Sequence, residues 1–335
     1  MDLLEHMSVD KDQLIADIRK IGVNRGDHIA VALSLKSIGF VKGGPDAFID
    51  SLLEVIGSEG TLMMNTFTLS FPIAEIDPNY IFELESTIPY TGIVPTKLMK
   101  RKGSIRSRHP TSSIVASGRL ARYLTDGHDE HSDAYLPYAK LAQIGGKYLS
   151  IGIGNRLVAI RHEAQREAGL FIVPFIMGVR YRNPKGQVSL FTWVDPPCFK
   201  KLPELVPKIE QTGMIKRGKI GLADSIVAPA DKLIEAMATI LKKDPTLNLC
   251  DDFSCLKCRE LERRMKLYGK IRDPKFFQRS SVIRQLLGFR NNLILRRHSY
   301  ISFRNPKKKK TFRSTTILEI GTYRLVWLFS KILDK

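Results

Sequence analysis

The feature that most constrains the fold is a succession of strand, helix and strand near the N-terminus. Residues 28–35 (HIAVALSL) are mostly apolar without a helical period, which predicts a buried strand. Residues 43–46 (GGPD) then open a helix predicted over 45–56, and residues 61–67 (TLMMNTF) predict the next strand. Parallel strands need such a crossover helix. The sequence therefore predicts an α/β fold, with a central, largely parallel or mixed sheet and flanking helices.

Composition is consistent with this fold and places it in a cytosolic protein. The chain has 335 residues and 43% hydrophobic content, which excludes collagen-like and wholly disordered chains. It contains no uninterrupted apolar run of about 18 residues and no apolar signal-peptide core in residues 1–19. The character of the sequence changes after Pro245, so we expect a catalytic domain over 1–245. Residues 246–335 are expected to form a cysteine-containing, basic and mainly helical extension.

The net charge of +19 belongs mainly to that extension. Residues 259–313 contain eighteen Lys and Arg and only three Asp and Glu. Nucleic-acid binding would use this charge together with the interleaved aromatic side chains. Binding to an anionic membrane would use Lys307 to Lys310, with residues 315–333 as an interfacial helix; a solvated extension is the third interpretation. The apolar terminal helix disfavours nucleic acid, and we expect a cytoplasmic protein, peripheral to the inner face of the membrane. Homodimerisation is left open.

The cysteines form a pattern of their own. Cys250-x4-Cys255-x2-Cys258 brings three thiols close together in sequence, and Cys198 could be a fourth ligand. Thiolate clustering in a reducing compartment favours a metal over disulfides. The pattern indicates a Zn²⁺ site or an iron–sulfur cluster, with four free thiols as the alternative.

The loop over residues 34–44 has the properties of a phosphate site. It leaves a predicted strand, contains two hydroxyls, Lys36, Lys42 and three glycines, and leads to the helix N-terminus at Pro45. An ordinary turn between strand and helix is the alternative interpretation. The loop does not match the Walker A pattern.

Several short segments share one order and spacing with a known family. They are residues 22–27, 34–39, 43–45, 60–62, 66–68, 90–92, 106–111 and 152–154, followed by His162. Over about residues 10–245 the chain resembles the aminoglycoside 3-N-acetyltransferase family. This resemblance implies that it transfers an acetyl group from acetyl-CoA, as co-substrate, to an amino sugar.

The resemblance also implies roles for individual residues. His162 corresponds to the family's general base, and Glu163 and Gln165 complete the predicted catalytic set. The family carries Glu where this chain has Gln165; glutamine can hold a histidine tautomer but cannot stabilise an imidazolium by charge. The predicted CoA contacts are Ser34, Leu35, Lys36, Ser37, Ile38, Gly39, Thr66, Ser107 and His109.

The predicted function is N-acetyl transfer to an amino sugar or aminoglycoside, with His162 as general base. The acids Asp126, Asp129, Glu130 and Asp133 could attract a cationic acceptor, or they could form a solvated loop. Ala32 and Leu136 replace polar residues of the family. These departures keep two alternatives open: a sugar acetyltransferase of surface-polysaccharide assembly, and a catalytically decayed scaffold or binding protein.

Overall fold

The computed structural model contains the expected strand–helix–strand unit. It describes residues 8–171 and 175–268, which belong to one compact unit. The strands are β1 (Ser8–Val9), β2 (His28–Leu33), β3 (Phe40–Val41), β4 (Thr61–Asn65), β5 (Phe71–Pro72), β6 (Ile81–Phe82), β7 (Ile105–Arg106), β8 (Ile114–Gly118), β9 (Lys147–Ile151), β10 (Ile176–Arg182), β11 (Val188–Val194), β12 (Lys216–Ile220) and β13 (Ala223–Pro229).

Helices connect most of these strands. They are α1 (Lys11–Lys20), α2 (Leu35–Ile38), α3 (Gly44–Ile56), α4 (Ile93–Met99), α5 (Ala121–Thr125), α6 (Leu136–Gln143), α7 (Ile160–Glu167), α8 (Val206–Glu210), α9 (Ala230–Lys243) and α10 (Leu256–Tyr268). Short 3₁₀ turns occur at Ile73–Glu75, Leu202–Leu205 and Pro245–Asn248.

The central sheet has seven strands in the order β12-β13-β9-β2-β4-β8-β7. β2 runs parallel to β4 and to β9, and the remaining neighbours are antiparallel. The predicted mixed sheet is therefore confirmed. A smaller sheet pairs β10 with β11, β5 and β6.

Alternation along β2 explains why helices cover both faces of the sheet. Ile29 and Val31 enter one core, which also contains the buried faces of α1 and α3. Ala30 and Ala32 point to the opposite core, which contains residues of α6, α7 and α9. Because successive side chains of a strand alternate between faces, a fully apolar strand needs an apolar layer on each side.

Local signals set the helix ends where the sequence indicates them. Asp10 caps α1 by accepting a hydrogen bond from the Gln13 N–H at 2.9 Å. Gly43 precedes α3 in the left-handed region, at φ 80°, and so turns the chain into the helix.

Residues beyond Pro245 pack on the same unit up to the end of the described chain. Asn248 is fully buried, and Cys258 and Leu261 of α10 are also buried. The domain boundary near Pro245 stays a prediction, and the basic residues 269–335 lie outside the described chain. Within the described residues, no helix is both long enough and apolar enough to cross a membrane.

Candidate active site

Helix α7 begins with a strained turn. Leu157 and Ala159 have φ values of 44° and 68°, in the left-handed region that side chains with a Cβ disfavour. Such conformations cost about 1–3 kcal/mol each and concentrate at functional sites. The His162 N–H donates to the Ala159 carbonyl at 2.8 Å, which places the histidine in the first turn of α7.

Aromatic rings enclose the His162 side chain. His162 is only 4% exposed. Its ring lies 4.9 Å from that of Tyr135 and 5.6 Å, edge to face, from that of Phe199. The imidazole therefore has a fixed plane and little contact with water.

A buried amide fixes the histidine tautomer. His162 Nδ1 lies 2.7 Å from Gln165 Oε1. The Gln165 amide nitrogen donates to the Cys198 carbonyl at 2.8 Å and to Asn248 Oδ1 at 2.5 Å. Because these two acceptors face the NH₂ group, Oε1 faces the ring and Nδ1 must carry the proton. Nε2 then keeps its lone pair, and no described residue supplies it with a hydrogen bond.

The surroundings keep His162 neutral. Burial is the main cause that holds its pKa well below the usual value of 6.5, and the positive charges of Arg161 and Lys257 lower the pKa further. The hydrogen bond to Gln165 acts in the opposite direction. At neutral pH the ring is therefore a neutral imidazole whose Nε2 atom carries no proton, and this is the form that can accept one.

Arg161 is a buried cation without an acidic partner among the described residues. It is 6% exposed, and its guanidinium carbon lies 3.9 Å from the centre of the Phe199 ring. Its Nε atom is buried without a hydrogen-bond partner. A buried, incompletely satisfied guanidinium next to a neutral histidine is suited to an anionic group of a ligand.

A nearby carboxylate is neutralised. Asp195 pairs with Lys257 at 2.5 Å. Burial raises the pKa of Tyr135, whose ring lies against that of His162, and the negative charge of Asp195 raises this pKa further. The sequence did not identify Asp195, Lys257, Tyr135 or Asn248 as site residues. Two of these residues had a local signal, since Asn248 lies two residues before Cys250 and Lys257 lies between Cys255 and Cys258.

The structure does not bring Glu163 to His162. Glu163 is buried in an ion pair with Arg166, whose Nε donates to Glu163 Oε2 at 2.9 Å. Successive helical residues point about 100° apart, so Glu163 leaves α7 on a different side from His162. Its contact with Arg166 indicates a structural role, and the catalytic role stays a prediction.

The predicted CoA loop lies at the carboxyl ends of the parallel strands β2 and β9. Ser37 Oγ lies 2.9 Å from Ser34 Oγ and 3.1 Å from the carbonyl oxygen of Gly152, which follows β9. Lys36 and Ser37 are exposed, whereas the Ile38 side chain is fully buried in the core. Ile38 could therefore contact a ligand only through its backbone. Ligands of open α/β sheets bind at this edge.

The other predicted CoA contacts are buried and have internal partners. Thr66 Oγ1 lies 2.9 Å from Ser113 Oγ, and Ser107 Oγ accepts the Ile114 N–H at 2.9 Å. His109 Nδ1 accepts the Ser112 N–H at 3.0 Å, and its ring stacks on that of His128 at 4.9 Å. The fold holds His109 through its Nδ1 atom, whereas its Nε2 atom is buried without a hydrogen-bond partner among the described residues. Contact of Thr66, Ser107 or His109 with CoA stays a prediction.

A cavity of about 1060 Å³ lies between residues 84–89 and 125–129. Its lining mixes charges: Lys100, Arg106 and Arg108 face Asp126 and Asp129. Arg108 pairs with Asp129 at 3.2 Å. The predicted acidic cluster is therefore partly neutralised, and this cavity does not include His162.

The four cysteines converge. Their Sγ atoms all lie within 4.8 Å of one another, and all four thiols are free. This cysteine cluster consists of Cys198, Cys250, Cys255 and Cys258.

The fold thus holds one buried histidine through Nδ1 and leaves its Nε2 atom without a hydrogen bond from any described residue, so this atom can accept a proton. Residues 31–242 match the family model described as aminoglycoside 3-N-acetyltransferase, and the chain belongs to this family. The resemblance found in the sequence is thereby confirmed.

Curated relatives support this assignment. Aminoglycoside N(3)-acetyltransferase VIII of Streptomyces fradiae is 32% identical over 176 residues, which cover 48% of this chain and 62% of that protein. Aminoglycoside N(3)-acetyltransferase III of Salmonella sp is 28% identical over 257 residues, covering 68% of this chain and 89% of that protein. The chain thus spans about three-fifths of the Streptomyces fradiae relative.

Solved structures show the same fold. Aminoglycoside acetyltransferase AAC(3)-IIb has a TM-score of 0.61 and 26% identity, and the match covers 70% of this chain and 97% of that one. AAC-IIIb, solved as a binary complex with CoASH, has a TM-score of 0.61 and 24% identity, with the same coverage of 70% and 97%.

Proposed function

We propose that this protein is an acetyl-CoA-dependent N-acetyltransferase acting on an amino group of an amino sugar or aminoglycoside. The observation that carries the proposal is the contact of 2.7 Å between His162 Nδ1 and Gln165 Oε1, which leaves Nε2 as the basic atom. Family membership supplies the reaction class.

In this reaction His162 moves one proton. The acceptor amine attacks the thioester carbonyl, and its nitrogen becomes strongly acidic as the new C–N bond forms. His162 Nε2 takes that proton, the C–S bond breaks, and CoA leaves as the thiolate, which the imidazolium can reprotonate. No covalent acyl-enzyme is needed. Gln165 holds the ring in place, but without a charge to stabilise the imidazolium.

The loop over residues 34–39 is our proposed CoA contact. The exposed side chains of Lys36 and Ser37 at the carboxyl edge of the sheet support it. The neighbour AAC-IIIb was solved with CoASH, which supports CoA as the ligand. Hydroxyl and amide groups of Ser34–Ser37 are our proposed donors to the oxyanion of the tetrahedral intermediate. Substitution of Lys36 by Met should raise KM for acetyl-CoA more than it lowers kcat.

The test of the base is release of free CoA from acetyl-CoA over a panel of amino sugars. His162→Ala should abolish most of the acceptor-dependent release, because general-base catalysis contributes about 10²–10⁴-fold. His131→Ala is the matched control, since the His131 side chain is 86% exposed. Full activity of the His162→Ala variant would refute the mechanism. Inactivity of the wild-type chain with every acceptor would favour the scaffold alternative.

The charges near His162 favour an acceptor with less positive charge than a polycationic drug. Lys257 is paired with Asp195, which leaves Arg161 without a compensating acid among the described residues, and this charge would repel a polycation. An amino sugar carried on a nucleotide or lipid, as in surface-polysaccharide assembly, is therefore our second candidate. The acceptor panel separates the candidates when kcat/KM for a nucleotide-linked amino sugar is compared with that for an aminoglycoside antibiotic.

We also propose that the basic extension places the enzyme at the inner face of the membrane. The residues concerned, 307–310 and 315–333, lie outside the described chain. The test is to sediment the protein with vesicles that contain anionic lipid and, separately, with vesicles that lack it. Equal recovery of the protein in the two supernatants would exclude the proposal. Light scattering on the same preparation would test the homodimer.

A further inference from the structure

The cysteine cluster has the dimensions of a mononuclear metal site. Cys258 Sγ lies 3.5 Å from Cys250 Sγ, and all four sulfurs lie within 4.8 Å of one another. In a tetrahedral zinc–thiolate site with bonds of about 2.3 Å, neighbouring sulfurs are about 3.8 Å apart. An iron–sulfur cluster inserts its own sulfides between the iron ions, so its cysteines must stand further apart. The observed spacing favours a single ion.

The local structure around the sulfurs suits thiolates. The Cys250 N–H donates to Cys258 Sγ at 3.2 Å. Such N–H···S bonds stabilise negative charge on ligating sulfurs. Cys255 and Cys258 lie at the start of α10, within one helical turn, and both can therefore reach one ion.

The two ion pairs beside the cluster add no net charge to a metal–thiolate centre. One Zn²⁺ and four thiolates carry a net charge of −2. Lys200 and Lys201 lie beside the cluster, each in an ion pair of 2.7 Å with an exposed aspartate, Asp252 and Asp251 respectively. Cys198 and Cys258 are buried, so the ion would be shielded from water on that side.

We propose that the cysteine cluster binds one Zn²⁺ ion as a structural site. The four thiols lose four protons and each sulfur forms one bond to the ion, with no change of oxidation state. The site joins two segments remote in sequence, because Cys198 follows β11 whereas the other three cysteines surround the start of α10. It goes beyond the acetyl transfer and does not depend on it.

The ion would also position the catalytic histidine. The Cys198 carbonyl accepts hydrogen bonds from Gln165 at 2.8 Å and from Asn248 at 3.1 Å. Fixing Cys198 therefore fixes the amide that holds His162. Gln165 suits this arrangement better than glutamate, because a carboxylate has no N–H for the carbonyl. This positioning role rests on the proposed function.

The test uses the purified full-length chain. Elemental analysis should give one zinc per chain, and the four thiols should resist a thiol reagent until a chelator or denaturant is added. In protein produced with Co²⁺, thiolate-to-cobalt charge-transfer absorption should appear. All four cysteines of the chain belong to the cluster, so this signal can have no other source within the chain. Cys255→Ser should lose the zinc and lower Tm.

Leu256→Ser is the matched control, since Leu256 is the next residue and is 56% exposed; it should keep one zinc per chain. If Cys255→Ser fails to fold, the wild-type stoichiometry still decides. Iron in place of zinc, a disulfide, or four reactive thiols without metal would overturn the proposal. For the positioning role, chelation should lower kcat more than it raises KM and should shift the pH profile of kcat/KM. An inactive chain that holds one zinc would refute the acetyl transfer and leave the metal site standing.

Discussion

Restoring the family's glutamate at position 165 should damage this protein instead of improving it. Gln165 is fully buried, and its NH₂ group donates to the Cys198 carbonyl at 2.8 Å and to Asn248 Oδ1 at 2.5 Å. The carboxylate of Gln165→Glu cannot donate to either acceptor. With about 1–2 kcal/mol for each lost buried hydrogen bond, the free energy of unfolding should fall by about 2–4 kcal/mol.

The same substitution should change how His162 titrates. In the wild-type protein the pKa of His162 is held well below 6.5, chiefly by burial, so the base is neutral at pH 7. A carboxylate at Nδ1 favours the imidazolium and should raise this pKa. The acid limb of the pH profile of kcat/KM should then move to higher pH by the same amount, because the variant loses its neutral base sooner as the pH falls.

Two measurements check this reasoning: urea unfolding at pH 8 and the pH profile of acceptor-dependent CoA release. Gln165→Met is the matched control, because it removes the same two hydrogen bonds, together with the one to His162 Nδ1, without adding a charge. It should lose at least as much stability, but its acid limb should not move to higher pH, because the lost hydrogen bond to Gln165 raises the pKa of His162. An unchanged unfolding free energy for Gln165→Glu, or an acid limb that moves equally in both variants, would refute the assignment of Gln165.

Two further predictions concern stability. Burial lowers the pKa of His128 to about 3, so the unfolded chain binds a proton that the folded chain excludes, and stability falls as the pH drops below about 6.5. The wild-type protein should lose unfolding free energy between pH 7.5 and pH 5, and His128→Asn should make this loss smaller by about 2 kcal/mol. The control His131→Asn, at an exposed position, should leave the loss unchanged. Equal pH dependence of stability in the two variants would contradict the role of His128. A Cβ at Gly118, where φ is 118°, would lie 2.3 Å from the Gly60 carbonyl oxygen, so Gly118→Ala should cost about 2–4 kcal/mol by thermal unfolding. Gly186 is the control, because it also has a positive φ but has open space around it; Gly186→Ala should cost about 1 kcal/mol. If Gly118→Ala were no less stable than Gly186→Ala, the backbone at Gly60 would be able to move away from the added Cβ.

The elements around the parallel strands could be predicted because their signals are local. The continuous apolar runs of β2 and β4 reflect burial on both faces of the sheet. The start of α3 is marked by Gly43, which precedes the helix, and by Gly44 and Pro45, its first residues. The three clustered cysteines were equally visible, because they lie close together in the chain. Family membership followed from the order of short segments, which needs no knowledge of packing.

The surroundings of His162 could not be predicted in the same way. Gln165 meets Asn248 across 83 residues of sequence and Cys198 across 33. Glu163 adjoins His162 in sequence, yet the helix directs it to Arg166. Glutamine in place of glutamate removes a charge, but it also supplies the N–H group that the Cys198 carbonyl accepts, and this second effect depends on a contact that the sequence does not reveal.

The mixed α/β framework, the family and the residue types available for acid–base and metal chemistry follow from the sequence, because the apolar period, the turn residues and the motif spacing are local properties of the chain. Which polar groups share a buried site depends on how the chain folds. Burial sets the pKa of His162 and makes every polar atom near it require a partner, and those partners come from segments that only folding brings together.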